Sequence, residues 1–555
     1  MSADAGSRAQ LARRAGVVSA AVLASRIFGL VREQVFAVCF GAGRVLDAFV
    51  TAFRIPNLLR DLFAEGALSA AFVTVFTQQM ERAGQAAAWR LASLVVNALA
   101  IVVGTICVLG ILFAPAITAA IAPGFAAVPG KMALTTLLTR VMFPFLLLVA
   151  VAAVVMGILN TRHMFGVPAA AAAFFNVGSV IGGLACAAWL APGFLASVVT
   201  ELRGGPPAAD LPGFAERAIL GMALGTLVGG VLQLAVQMPT LWRVGYRWRP
   251  VLAWRDPALR QVLRLMAPAT IGAAAVQVNV FVNNNFASYL GDGAVSWLNV
   301  AFRLMQLPIG LFGVAIGTVT LPTVSRHAAR GDTNAMRTAL ADALEMVALL
   351  CIPAAAGLAV FGVPIIGLLY EHGRFGADDT LASAHALSAY ALGLAGYAGI
   401  KVVAPAFYAL DDARTPMRVA LLSMATNLAL NWTFVRVLGF GHVGLALSTS
   451  AVALANFLIL LVVLRRRIGA LGRHTGRNVL RIVAATGLML LVAEALDRAT
   501  AGALPTPAVL RHAFRVGVDV PVAMAAFWAA CRGLGVPLPA LRRARSATPA
   551  PPAAG

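Results

Sequence analysis

Four arginines stand inside long apolar stretches. Arg26 and Arg32 lie in SRIFGLVREQ (Ser25 to Gln34), between the apolar runs GVVSAAVLA (Gly16 to Ala24) and VFAVCFGAG (Val35 to Gly43). Arg54 lies in the next run, and Arg303 lies far down the chain in an otherwise neutral one. Each charge at bilayer depth costs about 2.5–3.5 kcal/mol on insertion scales, so such residues face a protein interior or a wet cavity. Arginine stays ionised, and its planar fork of N–H donors matches phosphate oxygens. The neighbouring acids, mainly Glu33 and Asp47, are fewer than the arginines. A net-positive cavity within a bilayer suggests an anionic, amphiphilic substrate. The second run adds Arg60, Asp61 and Glu65. Arg26 and Glu33 are seven apart and share a helix face, and Arg32 sits about 100° from Glu33. Structural ion pairing is the competing reading: Arg32 with Glu33 or Asp61, while Arg60 and Arg140 could snorkel to an interface.

The elements that must hold these side chains are membrane helices. The 555 residues are 60% hydrophobic and only 12% charged, too little charge to cover a soluble protein of this size. Mean hydropathy is +0.86. Apolar runs of the ~20 residues a helix needs to span recur along the chain, without the alternation of a β-barrel. Spans are expected at about 16–40, 45–79, 90–122, 132–160, 167–192, 218–243, 262–290, 294–324, 340–370, 381–410, 415–438, 442–466, 478–497 and 513–533, some fourteen in all. The net charge of +21 is almost all arginine and concentrates in alternate short loops, such as Arg243, Arg247, Arg249, Arg255, Arg260 and Arg264 after the sixth span. That is the positive-inside pattern, which places both termini in the cytoplasm and excludes a nucleic-acid partner. The first apolar run has no cleavage signature and is kept as helix one. Five scattered cysteines and seven histidines show no metal spacing.

The chain also repeats itself. RIPNLLRDLFAEGALSAAFVTVF (Arg54 to Phe76) matches RLMQLPIGLFGVAIGTVTLPTVS (Arg303 to Ser325) at an offset of 303 − 54 = 249, and Pro115 and Gly124 match Pro364 and Gly373 at the same offset. Duplicated six-helix halves are a transporter architecture, in which the halves rock about a central site. The expected fold is all-α and polytopic: two pseudo-symmetric six-helix bundles and two further helices around a central cationic cavity. The divisions are 1–15, a cytoplasmic segment; 16–243, the first bundle; 244–261, a basic loop; 262–467, the second bundle; 468–533, two added helices; and 534–555, a disordered tail. Asn283, Asn427 and Asn431 could bind a cation or, as favoured here, link helices by hydrogen bonds.

These residues resemble the lipid II flippases called MurJ or MviN, within the multidrug/oligosaccharidyl-lipid/polysaccharide exporter superfamily. The similarity rests on SRIFGLVRE, FGAGRVLDAFVTAFRIPNLLRDLFAEGALSAAFV, APGF, GILNTRHMFGVPA, VSWLNVAFRLMQLPIGLFGVAIGTVTLPTVS and KVVAPAFYALDDARTP, across about 15–530. The resemblance implies transfer of the undecaprenyl-diphosphate-linked peptidoglycan precursor across the bacterial inner membrane by alternating access, a transporter's task without covalent chemistry. It implies that Arg26, Arg32, Arg54 and Arg303 bind substrate, and that Glu33, Asp47, Arg60, Glu65 and Gln306 shape cavity electrostatics or gating. It further implies a lipid-tail groove in the last two helices. Lipid II and membrane lipids are the implied partners, with cell-wall synthesis and division proteins possible. Some relatives have carboxylates of a sodium site where this chain has Asn283 and Asn431, which puts sodium coupling in doubt. No cofactor is expected, and membrane potential suffices as a drive. An exporter of another lipid-linked sugar or of drugs, a membrane glycosyltransferase and a division scaffold are the alternatives.

Overall fold

A computed structural model describes residues 2–60, 67–205, 213–500 and 508–537. Among them the regular structure is entirely helical. In order the helices are α1 (Ser2–Phe40), α2 (Arg44–Arg60), α3 (Ala67–Leu112), α4 (Ala114–Ile121), α5 (Lys131–Met142), α6 (Phe145–Thr161), α7 (Gly166–Leu190), α8 (Phe194–Leu202), α9 (Phe214–Ala235), α10 (Met238–Arg243) and α11 (Pro257–Ala287). There follow α12 (Ala294–Pro308), α13 (Val314–Ala329), α14 (Thr333–Val360), α15 (Gly362–Tyr370), α16 (Ala377–Ala391), α17 (Leu394–Ala409), α18 (Arg414–Asn431), α19 (Gly441–Ile468), α20 (Arg473–Thr500), α21 (Ala508–Phe514) and α22 (Val520–Gly533).

Ten helical segments among the described residues are long and apolar enough to cross a membrane. The expected spans 16–40, 45–79, 262–290 and 415–438 fall outside that ten, although their described residues are helical apart from short turns. They are the spans that carry Arg26, Arg32 and Glu33; Asp47 and Arg54; Asn283; and Asn427 with Asn431.

The helix ends repeat the offset read from sequence. Starts at Phe145 and Leu394 give 394 − 145 = 249, and ends at Ile121 and Tyr370 give 370 − 121 = 249. Gly84, with φ of 79°, breaks α3 at the residue corresponding to Thr333, where α14 begins afresh. In the loop expected at 193–217, which has no counterpart in the second half, nine residues form α8.

The helices group into two compact units. One comprises Met1–Leu304, Ile366–Tyr390 and Met417–Val452; the other comprises Met305–Ile365, Ala391–Pro416 and Ala453–Gly555. The division passes through α12, α15, α18 and α19 rather than the seam at 244–261. Within the first unit α7 and α9 meet on glycines: a Cβ at Gly225 would stand 2.3 Å from the Gly183 Cα. Without a hydrophobic drive between helices in lipid, such backbone approach supplies the packing energy. Phe36, Phe49, Phe53, Phe145 and Phe175 form a chain of ring contacts with centroids 4.6–6.2 Å apart. In the second unit α20 and α22 bury Ile482, Ala485, Met489, Phe527 and Cys531 with Ala348 and Leu349 of α14. Pro308, which cannot donate a helix hydrogen bond, is followed by a π-helical turn at Ile309–Gly313.

Candidate functional site

The first unit gathers the charged residues around one carboxylate. Arg32 and Glu33 sit in the last third of α1, where apolar neighbours sustain the helix across them. Glu33 Oε1 accepts from Arg32 Nη2 at 3.0 Å and from Arg303 Nη2 of α12 at 2.7 Å. Glu33 Oε2 accepts from Asn299 Nδ2 at 3.2 Å, one turn before Arg303. Arg303, unpartnered along its own helix, therefore finds its acid 270 residues away, which corrects its reading as an unpaired cation. Its side chain is still 44% exposed, against 11% for Arg32 and 15% for Glu33, so one face stays open to a ligand. Arg32 also lies over the rings of Phe53 and Phe175 at 5.6 and 5.3 Å.

Arg54 points across to α11, where its Nη1 donates to Asn284 Oδ1 at 2.8 Å. Asn284 is buried and in turn donates to the Ile121 carbonyl at 3.3 Å. Arg303 and Arg60 lie within electrostatic reach of Arg32, and Arg303 within reach of Arg54. Of the four arginines expected to converge, Arg26, Arg32, Arg54 and Arg303, the last three lie near one another, with half-buried Arg60 at the end of α2 close to Arg32. Arg26 is exposed on α1 and makes no hydrogen bond or ion pair among the described residues. Gln306 is exposed on α12 and belongs to the second unit. Glu65 and Asp61 lie outside the described residues.

By the resemblance, Asp47 is expected to shape cavity electrostatics or gating. It is fully buried rather than lining an open site. Its Oδ2 accepts from Lys131 Nζ at 2.9 Å and from the Gly293 amide at 2.8 Å. Its Oδ1 accepts from the Ser296 amide at 2.9 Å and Ser296 Oγ at 2.7 Å. Asp47 therefore caps α12 from another helix, placing negative charge where the first amides of α12 are unsatisfied. Lys131, also buried, reaches Asp292 Oδ1 at 2.6 Å and lies 4.2 Å from the Phe125 ring centroid. Lys131 balances Asp47, so Asp47 offsets none of the arginine charge. The sequence singled out Lys131 only as one of two lysines, and its role needed the fold.

Further contacts close the same end of this unit. The turn after α15 presses on the end of α1: the Arg374 amide donates to the Val38 carbonyl at 3.1 Å, and Gln34 Nε2 to the Leu369 carbonyl at 2.9 Å. Gly41 and Gly373 have φ of 64° and 59°, and a Cβ on either would come within 2.6 Å of a carbonyl oxygen across this contact. Arg374 pairs in a two-pronged manner with Glu201 of α8, both distances 3.1 Å.

The asparagines form a closed amide network. Asn431 Nδ2 donates to Asn283 Oδ1 at 2.8 Å and Asn427 Oδ1 at 3.2 Å, Asn283 Nδ2 donates to Thr449 Oγ1 at 3.1 Å, and Ser448 Oγ donates to Asn431 Oδ1. The bonds among Asn283, Asn431, Ser448 and Thr449 join α11, α18 and α19, whereas Asn427 and Asn431 bond within α18. Among the described residues no cluster of three or more His, Cys, Asp or Glu could hold a metal ion.

Comparison with known proteins fits this arrangement. The family model described as lipid II flippase MurJ matches residues 36–505. The lipid II flippase MurJ of Burkholderia cenocepacia is 36% identical over 454 residues, covering 81% of this chain and 83% of that protein. A probable lipid II flippase MurJ of Vibrio cholerae is 35% identical over 451 residues, 80% of this chain and 81% of that protein. A solved lipid II flippase MurJ in an inward closed conformation superposes with a TM-score of 0.73 at 25% identity, covering 93% of this chain and 99% of that one. An inward-facing multidrug transporter of the MATE family shares the fold at a TM-score of 0.63 and 14% identity, over 80% and 95%. The helices, the duplication and these matches agree: the chain is a multi-pass membrane protein of the lipid II flippase MurJ family.

Proposed function

We propose that this chain carries lipid II across the bacterial inner membrane, from the cytoplasmic to the periplasmic leaflet, by alternating access. The observation that carries the reading is the grouping of Arg32, Arg54 and Arg303, of which Arg32 and Arg303 share Glu33. Among the described residues one carboxylate serves these three guanidinium groups, which it cannot neutralise, and the surplus is suited to a diphosphate. Arg26, about 1.7 turns before Arg32 and without a hydrogen bond or ion pair among the described residues, extends the cationic track along α1. The basic loops on alternate connections support cytoplasmic termini, which puts Asp292, the 371–376 turn and α8 on the periplasmic side. The bonds around Asp47 and Arg374 then hold the periplasmic end shut. In this reading α20, α21 and α22 flank the lipid tail, and cell-wall synthesis and division proteins are the expected neighbours. The test is rescue of a strain depleted of its own lipid II flippase. Cells carrying this chain are expected to grow and to expose lipid II to an externally added cleaving enzyme. Lysis with lipid II retained inside, despite full-length chain in the membrane, overturns the reading.

The drive follows from charge. Moving one charge through the membrane potential yields about 2.3 kcal/mol per 100 mV. The Asn283, Asn427 and Asn431 amides bond one another, Ser448 and Thr449, and none of these groups is a carboxylate. Replacing sodium by potassium is therefore expected to leave the Tm of the purified protein and its lipid II exposure unchanged. Asn283→Asp with Asn431→Asp is expected to create a sodium-dependent rise in Tm. A sodium-dependent Tm in the unmodified chain would contradict this account.

A further inference from the structure

The connector between the duplicated halves, LWRVGYRWRPVLAWRDP (Leu241 to Pro257), interleaves three tryptophans with four arginines and a single acid. Its middle has no regular secondary structure, yet it is pinned. Tyr246 is buried, its hydroxyl 3.2 Å from Ser93 Oγ and its ring in edge contact with Trp89. Asn97 Nδ2 donates to the carbonyls of Arg249 at 2.9 Å and Val251 at 2.7 Å, and Asn97 Oδ1 accepts from Trp248 Nε1 at 2.9 Å. Held this way, the strap turns Trp242, Trp248 and Trp254 outward at 55%, 58% and 42% exposure. Every arginine between 243 and 264 is exposed. Asp256, the one acid, caps α11 by accepting from the Ala258 and Leu259 amides, and lies 3.8 Å from Arg90. Arg249, Arg255 and Arg264 make no side-chain hydrogen bond or ion pair among the described residues.

Exposed indole rings with unneutralised guanidinium groups on one fixed strap match a headgroup layer: rings at the ester level, cations at the phosphates. We propose that this connector is a docking site for anionic phospholipid headgroups of the surrounding leaflet, and that it anchors the junction of the two halves to the interface. The flippase reading is not required for this.

The tryptophans report directly. The full chain is placed in nanodiscs of phosphatidylcholine in which brominated phosphatidylglycerol or brominated phosphatidylcholine is titrated. The strap signal is the quenching lost in Trp242→Phe/Trp248→Phe/Trp254→Phe. Brominated phosphatidylglycerol is expected to quench with an apparent affinity at least about threefold above the zwitterionic lipid, since each surface arginine adds several-fold. High salt should weaken the preference. Arg249→Gln/Arg255→Gln/Arg264→Gln should abolish it, the corresponding lysine variant should keep it, and millimolar inorganic phosphate should not compete. Arg465→Gln/Arg466→Gln/Arg477→Gln, which removes equal charge from another exposed basic loop, should leave it intact. Equal quenching by the two lipids, loss in the control triple to the same extent, or displacement by inorganic phosphate would each overturn the proposal. A parallel melting curve for each variant shows that it is folded, and a folded glutamine triple with undiminished preference would also overturn it.

Discussion

Arg303→Ala is expected to reduce periplasmic exposure of lipid II by about 100-fold, or about 2.7 kcal/mol at 1.36 kcal/mol per tenfold, without unfolding the protein. Arg303 is the most exposed of the guanidinium groups tied to Glu33, so it has donors left for a substrate oxygen. Loss of Arg303 leaves Glu33 still bonded to Arg32 and Asn299, so no buried charge is stranded and the cost to stability is small. The loss should therefore fall on transport and not on the Tm. The charge-reversed pair Glu33→Arg with Arg303→Glu separates the two roles. It rebuilds an ion pair between α1 and α12 but puts a carboxylate where the diphosphate must bind. Its Tm should return near that of the parent while exposure of lipid II stays low. Restored transport in the reversed pair would mean that Arg303 works only as a strut.

Lys131→Met is expected to open the periplasmic end. Asp47 and Asp292 would face each other without their shared cation, and Asp47 would remain fully buried. Breaking a buried pair from one side costs about 3–5 kcal/mol. Because Asp47 also holds the first amides of α12, the strain falls on the contact between α2 and α12. Labelling of Val295→Cys by a membrane-impermeant thiol reagent added from outside should rise at least about tenfold in the Lys131→Met background, as an order-of-magnitude reading of that loss. Val295 is buried, so reactivity there reports opening. Adding Asp47→Asn should recover part of the protection, since no buried charge is then unpaired. Unchanged labelling in Lys131→Met would show that the lysine does not hold this end closed.

The residues differ in how far the sequence could reveal them. Arg32, Arg54 and Arg303 were legible because a charge inside an apolar run has few destinations. The duplication was legible because Arg54 and Arg303 share a register that the helix ends later repeat. The pairings were not. Glu33 meets Arg303 across 270 residues and Asp47 meets Lys131 across 84, and nothing local in either helix encodes the partner. Asp47 counted as a cavity acid for this reason, when a buried lysine had already matched it. Asn283 and Asn431 bond each other between α11 and α18, while Asn427 bonds Asn431 one turn along its own helix.

The central claim is that the arginine cluster grips a diphosphate. Its most direct test is binding of two short-chain lipid II analogues to the purified full chain, one with the diphosphate and one with an uncharged linker of equal length. The account predicts at least about 100-fold tighter binding of the diphosphate form, as about 2.7 kcal/mol of charge-assisted contact gives, and loss of that preference in Arg32→Gln/Arg54→Gln/Arg303→Gln. Equal binding of the two analogues by the unmodified chain would contradict it.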